Sequence, residues 1–193
     1  MLKVGVLALQ GSVKEHVNAL KKLKVEPVLV KLPYDLKEIN GLILPGGEST
    51  TMGKLMRQYG LDKEIKRRYK EGMPIYGSCA GAILLAKDIV GSKQPKLGLM
   101  DISIKRNEYG RQVDSFEAEL DVFDMPFKGV FIRAPVISEL HDGCKILSKF
   151  ENKPVMVEQG NLLVSTFHPE LTDDLRVHKY FIEMIDKSRT ITF

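Results

Sequence analysis

Four short strand-like runs alternating with helical patterns constrain this chain more than any other feature. They are Val4-Gly5-Val6-Leu7-Ala8-Leu9, Val25–Leu32, Gly41-Leu42-Ile43-Leu44 and Pro74–Tyr76. A strand with one wet face alternates apolar and polar residues. A continuous apolar run such as Val4–Leu9 is buried on both faces, as in a parallel sheet. Between the runs, Gly11-Ser12 opens a helix in which Ser12 can cap the first turn, Glu15 stands three places on, and Val13, Val17, Leu20 and Leu23 form the apolar stripe. Further helices are predicted over 50–58, 62–71 and from Cys79 to about Lys87. The alternation calls for an α/β fold: an open, mostly parallel sheet with helices on both faces. The second half reads differently. Strand-like runs at 100–106, 116–122, 129–133, 145–149, 154–158 and 162–166 predict antiparallel additions at one side of the sheet. A last amphipathic helix is predicted from Asp173 to Lys187, with Leu175, Phe181, Ile182 and Ile185 inward. No linker interrupts the chain, so residues 1–193 are read as one domain.

Composition narrows the function classes. At 193 residues the chain can build one sizeable core, and 44% hydrophobic with 28% charged residues is ordinary for a globular protein. Twenty-nine basic against 25 acidic side chains leave +4, too mild to call for nucleic acid or a membrane. The basic face Lys63–Lys70 carries no aromatic platform for bases and reads as solvated surface. Two cysteines without framework spacing argue against a disulfide scaffold and fit a reducing, cytoplasmic compartment. The run Val4–Leu9 is too short for a secretory signal, and no stretch approaches the roughly 20 apolar residues of a membrane span. No Cys-x-x-Cys pair or His-x-x-x-His helix offers a metal site.

Cys79 lies in Ile75-Tyr76-Gly77-Ser78-Cys79-Ala80-Gly81-Ala82, a small-residue pinch between an apolar strand and an apolar helix. Glycines on both sides permit a strand-to-helix turn whose tip projects its side chain at a ligand. The following helix start favours thiolate. Bringing a thiol of ordinary pKa about 8.5 to neutrality needs roughly 2 kcal/mol, within reach of a helix start plus an imidazolium. The competing reading is a small buried cysteine in a packed turn. Cys144 lacks flanking turn glycines and reads as structural.

Phe167-His168-Pro169-Glu170 follows the run Leu162–Thr166, at the strand end where open α/β sheets bind ligands. A nucleophilic cysteine needs an imidazole base, and the imidazole needs an acceptor that fixes its tautomer. In extended chain His168 and Glu170 face one side, and Pro169 disfavours a helical His168. The alternative is a solvated strand end. His16, His178 and His141 read as surface or partner-contact residues.

Pro45-Gly46-Gly47-Glu48-Ser49-Thr50-Thr51 is the second informative loop. Its glycines let backbone N–H groups approach a ligand and stabilise an oxyanion, while Ser49, Thr50 or Thr51 can cap the next helix. A phosphate loop is the rival reading, without the G-x-x-x-x-G-K-S/T spacing. Arg106-Asn107-Glu108-Tyr109-Gly110-Arg111-Gln112 is a polar turn with two arginines. Phe131-Ile132-Arg133-Ala134-Pro135 puts another in an apolar strand, where an anionic partner, structural carboxylate or amino-acid substrate, is expected.

Taken together these segments resemble the class I, triad-type glutamine amidotransferases, whose fold is a flavodoxin-like three-layer sandwich. Within that class the loop Gly47-Glu48-Ser49-Thr50-Thr51 and the turn Arg106–Gln112 resemble the family of glutaminase subunits of pyridoxal 5′-phosphate synthase, and the likeness covers nearly the whole chain. The resemblance implies a nucleophile at Cys79, a base at His168 and an orienting carboxylate at Glu170. It implies glutamine contacts from Gly46, Gly47, Glu48, Ser49, Ala80, Arg106, Ile132 and Arg133, with no cofactor and no metal. It implies hydrolysis of L-glutamine through a cysteine thioester. The ammonia would pass to a (β/α)₈-barrel synthase that makes pyridoxal 5′-phosphate from ribose 5-phosphate and glyceraldehyde 3-phosphate, in a hetero-oligomer of twelve plus twelve subunits. Ser78, where threonine is more usual, and Glu108 depart from the family pattern without removing a reacting group. Two alternatives remain: a glutaminase serving another biosynthetic pathway, and a non-catalytic regulatory subunit.

Overall fold

The computed structural model describes residues 1–106 and 115–190. In chain order the elements are β1 (Lys3–Leu7), α1 (Val13–Lys22), β2 (Glu26–Val30), β3 (Gly41–Leu44), α2 (Ser49–Gln58), α3 (Leu61–Lys70), β4 (Ile75–Ser78), α4 (Ala80–Leu85), β5 (Ala86–Ile89), β6 (Met100–Lys105), β7 (Ser115–Asp121), β8 (Pro126–Ile132), β9 (Val136–Leu140), β10 (Lys145–Phe150), β11 (Lys153–Gln159), β12 (Leu162–Ser165) and α5 (Arg176–Thr190). Short 3-10 turns cover Pro33–Leu36 and Pro169–Leu171.

A seven-stranded sheet in the order β10-β11-β12-β4-β3-β1-β2 forms the middle layer. The five strands from β12 to β2 are parallel, and β11 and β10 add antiparallel at one edge. Side-chain alternation along the buried strands splits the core in two. Leu42, Leu44, Ile75, Leu162 and Val164 pack on one face against α2, α3 and α4. Ile43, Tyr76 and Leu163 point to the other, against α1 and α5. That two-sided burial is why Gly41–Leu44 and Leu162–Val164 carry no polar side chain, whereas the edge strand β2 keeps Glu26 and exposes Leu29.

The antiparallel second half is not all at the sheet edge. β5, β6 and β9 form a separate three-stranded sheet, and β7 pairs with β8 in a two-stranded ribbon. β5 and β9 were not foreseen. The helix expected to reach Lys87 stops at Leu85, because the N–H groups of Leu97 and Leu99 take the carbonyls of Leu84 (2.8 Å) and Leu85 (2.9 Å). β2 likewise ends at Val30, since the N–H groups of Lys31 and Leu32 both donate to Asp35 Oδ2 at 2.9 Å. Among the described residues no helix is long and apolar enough to cross a membrane.

β1 runs between β2 and β3, so consecutive parallel connections leave it in opposite directions. Such a reversal opens a crevice beyond the carboxyl ends of the strands. The segments after β1, β3, β4 and β12 all emerge there.

Candidate active site

Between β4 and α4 the chain turns so tightly that the flanking positions admit no side chain. A Cβ on Gly77 would stand 2.5 Å from the Gly81 backbone, and one on Gly81 would stand 2.1 Å from the Leu44 carbonyl oxygen. Cys79, at the tip, is held at φ +50° and ψ −102°, outside the regions where L-residues rest. Hydrogen bonds enforce this conformation. The Cys79 N–H donates to Ser165 O on β12 (2.8 Å), and its carbonyl accepts from Ala82 and Ile83 (3.0 and 3.2 Å). The thiol is 6% exposed and directed at the Ile132 carbonyl, 3.7 Å away.

His168 follows β12, anchored by its N–H to Val130 O (2.8 Å). Its Nδ1 lies 2.7 Å from Glu170 Oε1. The two meet by a different route from the extended chain expected: Pro169–Leu171 is a 3-10 turn that folds the carboxylate back onto the ring. Ser12 Oγ donates to the same Oε1 at 2.8 Å, a use of Ser12 that replaces the expected helix cap, for which its side chain makes no bond. With Nδ1–H donating to Glu170, Nε2 is left to face the sulfur. Burial opposes a charged imidazole, but interaction with the Cys79 sulfur and the Glu170 carboxylate outweighs it and lifts the His168 pKa to about 10. Burial pushes Glu170 up, and the adjoining His16 and His168 rings more than reverse it, leaving the carboxylate well below its usual range. Cys79, His168 and Glu170 are thus brought together from two neighbouring strand ends.

They border a cavity of about 470 Å³, lined also by Gly46, Gly47, Glu48, Ser49, Ala80, Arg106, Ile132 and Arg133. Small-molecule sites are typically about 300–1,000 Å³. The Gly46 carbonyl accepts from Ser12 N (3.0 Å), so the trans peptide turns the Gly47 N–H the opposite way. Glu48, rather than Ser49, Thr50 or Thr51, caps α2: its carboxylate accepts from Thr50 N and Thr51 N (3.1 and 2.7 Å). Arg106 Nη1 donates to Thr50 Oγ1 (3.0 Å) and Gln94 Oε1 (2.8 Å). Arg133 is not a buried-strand arginine. β8 ends at Ile132, itself 39% exposed, and Arg133 is an exposed residue at φ +43°. The rest of the turn that begins at Arg106 lies outside the described residues.

Sequence reasoning missed several residues here. Gln10 lines the cavity and accepts the Glu48 N–H (2.8 Å). Gln94 donates to Ser49 Oγ (3.0 Å) while holding Arg106. Nothing near Gln94 in sequence signals this, whereas Gln10 follows a buried strand, a position that could have flagged it. His16 and His178 are not surface residues: both are buried behind Glu170. His141 is exposed, and Cys144 is half-buried with its thiol toward Asp101 O.

The model of the SNO glutamine amidotransferase family matches residues 6–187. The chain is 51% identical over 187 residues to the pyridoxal 5′-phosphate synthase subunit PdxT of Thermotoga petrophila, covering 95% of this chain and all of the relative. It is 50% identical over 189 residues to the protein of the same name from Carboxydothermus hydrogenoformans, covering 96% and 99%. A crystal structure of a glutamine amidotransferase superposes with a TM-score of 0.92 at 50% identity, covering 95% of this chain and 98% of that one. The structure of PurLQS from Thermotoga maritima, at 18% identity and TM-score 0.68 over 97% of this chain and 96% of that one, shares the fold. The chain belongs to the SNO glutamine amidotransferase family.

Proposed function

We propose that this chain hydrolyses L-glutamine to L-glutamate and ammonia with Cys79 as nucleophile, His168 as acid–base and Glu170 as its orienting carboxylate. The observation that carries the reading is the strained Cys79 turn facing a glutamate-paired imidazole across a cavity of small-molecule size. The Cys79 sulfur attacks the side-chain amide carbon, and the carbonyl electron pair moves onto oxygen. N–H groups of Gly47 and Ala80, both at the cavity wall, are the donors proposed to hold that oxyanion. As the C–N bond breaks, imidazolium His168 gives its proton to the departing amine and ammonia leaves. Neutral His168 then takes a proton from water, which attacks the thioester and releases glutamate. Arg106 and Arg133 supply positive charge at the rim for the substrate's α-carboxylate. Cys79→Ala should abolish ammonia release while leaving the unfolding midpoint close to wild type. Residual glutamine turnover in that variant would remove Cys79 from the role.

The ammonia is passed, in this proposal, to a barrel synthase subunit that builds pyridoxal 5′-phosphate from ribose 5-phosphate and glyceraldehyde 3-phosphate. Relatives that bear the name of a subunit of that synthase, at half-identity over their full length, support it. We place the pair in the cytoplasm as a complex of twelve plus twelve subunits. Glutamine-dependent cofactor formation by the mixed subunits, with the complex mass measured in solution, tests partner and stoichiometry together.

A further inference from the structure

Behind Glu170 lies a cluster that the reaction above does not use. His16, on α1, is fully buried between three elements. Its Nδ1 is 2.9 Å from His178 Nε2 on α5, and its Nε2 is 3.1 Å from Ser78 Oγ on β4 and 3.6 Å from Glu170 Oε1. Ser78 is the residue immediately before Cys79. We propose that His16 and His178, with Ser12, form a positioning network that keeps Glu170 ionised and ties the His168–Glu170 arm to the strand carrying Cys79.

The unpaired atoms decide where the protons sit. His178 Nδ1 is buried and has no hydrogen-bond partner among the described residues. Were it protonated, an N–H donor would be orphaned in the core, which is costlier than an orphaned acceptor. The proton of His178 therefore sits on Nε2 and is donated to His16 Nδ1. That leaves His16 protonated on Nε2, whose N–H reaches Ser78 Oγ and points its positive end toward Glu170. The opposite assignment orphans the His178 N–H and sets a ring lone pair against the carboxylate, two penalties at once. Burial supports the assignment by holding both histidines neutral, with pKa values below the ordinary histidine range. The groups facing His16 are Glu170 and His168 from the segment after β12, His178 from α5, Ser78 and Tyr76 from β4, and Glu15 on its own helix. Ser12 touches the carboxylate directly at 2.8 Å, so Ser12 and His16 approach one oxygen of Glu170 from two directions.

This inference rests on the glutaminase reading, and the test separates the two. Nitrogen-15 NMR of histidine-labelled full-length protein should show His16 neutral with its proton on Nε2 from pH 5.5 to 8. A proton on Nδ1, or an imidazolium, overturns the network. In glutamine hydrolysis, His16→Leu should lower kcat by roughly 10–100-fold with KM little changed, the range seen when groups that orient a reacting side chain are removed. His16→Gln, which restores an N–H near the Nε2 position, should recover most of that loss. His16→Leu should also move the acid limb of kcat/KM to higher pH, because a carboxylate that has lost the positive end of a neighbouring N–H dipole, 3.6 Å away, protonates more readily. A structural filler would show neither rescue nor a shifted limb. Ser12→Ala, at a position without a capping role, guards against misfolding of the His16 variants. It should lower kcat about tenfold while the protein remains fully folded at the assay temperature, and full activity there would count against the network. The NMR measurement needs no turnover. An inert wild type therefore indicts the glutaminase reading, whereas the wrong tautomer indicts the network.

Discussion

Gly46 presents a bare Cα to the His168 ring. A Cβ there would fall 2.3 Å from Cε1 and 2.9 Å from Nδ1, so the imidazole's place against the cavity wall depends on the absence of one methyl group. The ring cannot simply retreat, because Nδ1 is tied to Glu170 at 2.7 Å. Gly46→Ala should therefore displace the imidazole and cut glutamine hydrolysis by about 100-fold, the scale of loss expected for a misplacement of about 1 Å. Steady-state rates beside a thermal melt check it, and a drop in rate matched by an equal drop in folded fraction would refute it. At this scale the sequence was informative where chemistry is local. The glycine frame around Cys79 and the two-residue spacing of His168 and Glu170 can be read from neighbours in the chain. Ser12, His16 and His178 cannot. Ser12 meets a carboxylate 158 positions away, and the two histidines meet across 162, so only the folded topology gives them meaning. A buried histidine also looks, in sequence, like any polar residue on an amphipathic helix.

Elements differ in how far their residues announce them. The central parallel strands were legible because burial on both faces removes polar residues from them, and their helices followed from period and length. The boundaries went astray where a side chain or a distant loop took backbone groups, as Asp35 does beyond β2 and residues 97–99 do beyond α4. β9 begins immediately after Pro135, which cut the pattern short. The start of α2 shows how an element end and a binding loop share residues. The Glu48 carboxylate takes two N–H groups of the first turn and the Thr51 hydroxyl (2.5 Å), which holds it ionised below the usual range. Removing such a cap typically costs about 0.5–2 kcal/mol. Glu48→Ala should lose stability in that range by urea denaturation, while Glu48→Asp or Glu48→Gln, which keep an acceptor, should lose less. Equal losses for all three would mean that the side chain stabilises the protein by something other than capping.

Over the whole molecule, the reacting side chains and the rim have different origins. Cys79, His168 and Glu170 stand at or just beyond the carboxyl ends of central strands, where both halves of the core meet, whereas Arg106, Ile132 and Arg133 arrive from the small outlying sheets. The acid–base pair is therefore set into the main core, and its ionisation is coupled to folding of the entire chain. The coupling has a definite sign. An unfolded histidine titrates near about 6.5, and folding raises His168 to about 10. Protonated His168 thus contributes its full stabilisation below about pH 6.5, and that contribution is lost as pH rises toward about 10. Glu170 is depressed, so its contribution is present above the ordinary carboxylate pKa and is lost as pH falls below it. Because the two groups stabilise each other through one hydrogen bond, His168→Asn removes the alkaline half of this dependence and weakens the acid half. The difference in unfolding free energy between wild type and His168→Asn, taken from urea curves at successive pH values, should shrink steadily between about pH 6.5 and 10. A difference that stays flat across that interval would mean that the imidazole is neutral in the folded protein, and the proton given to the leaving amine would then need another source.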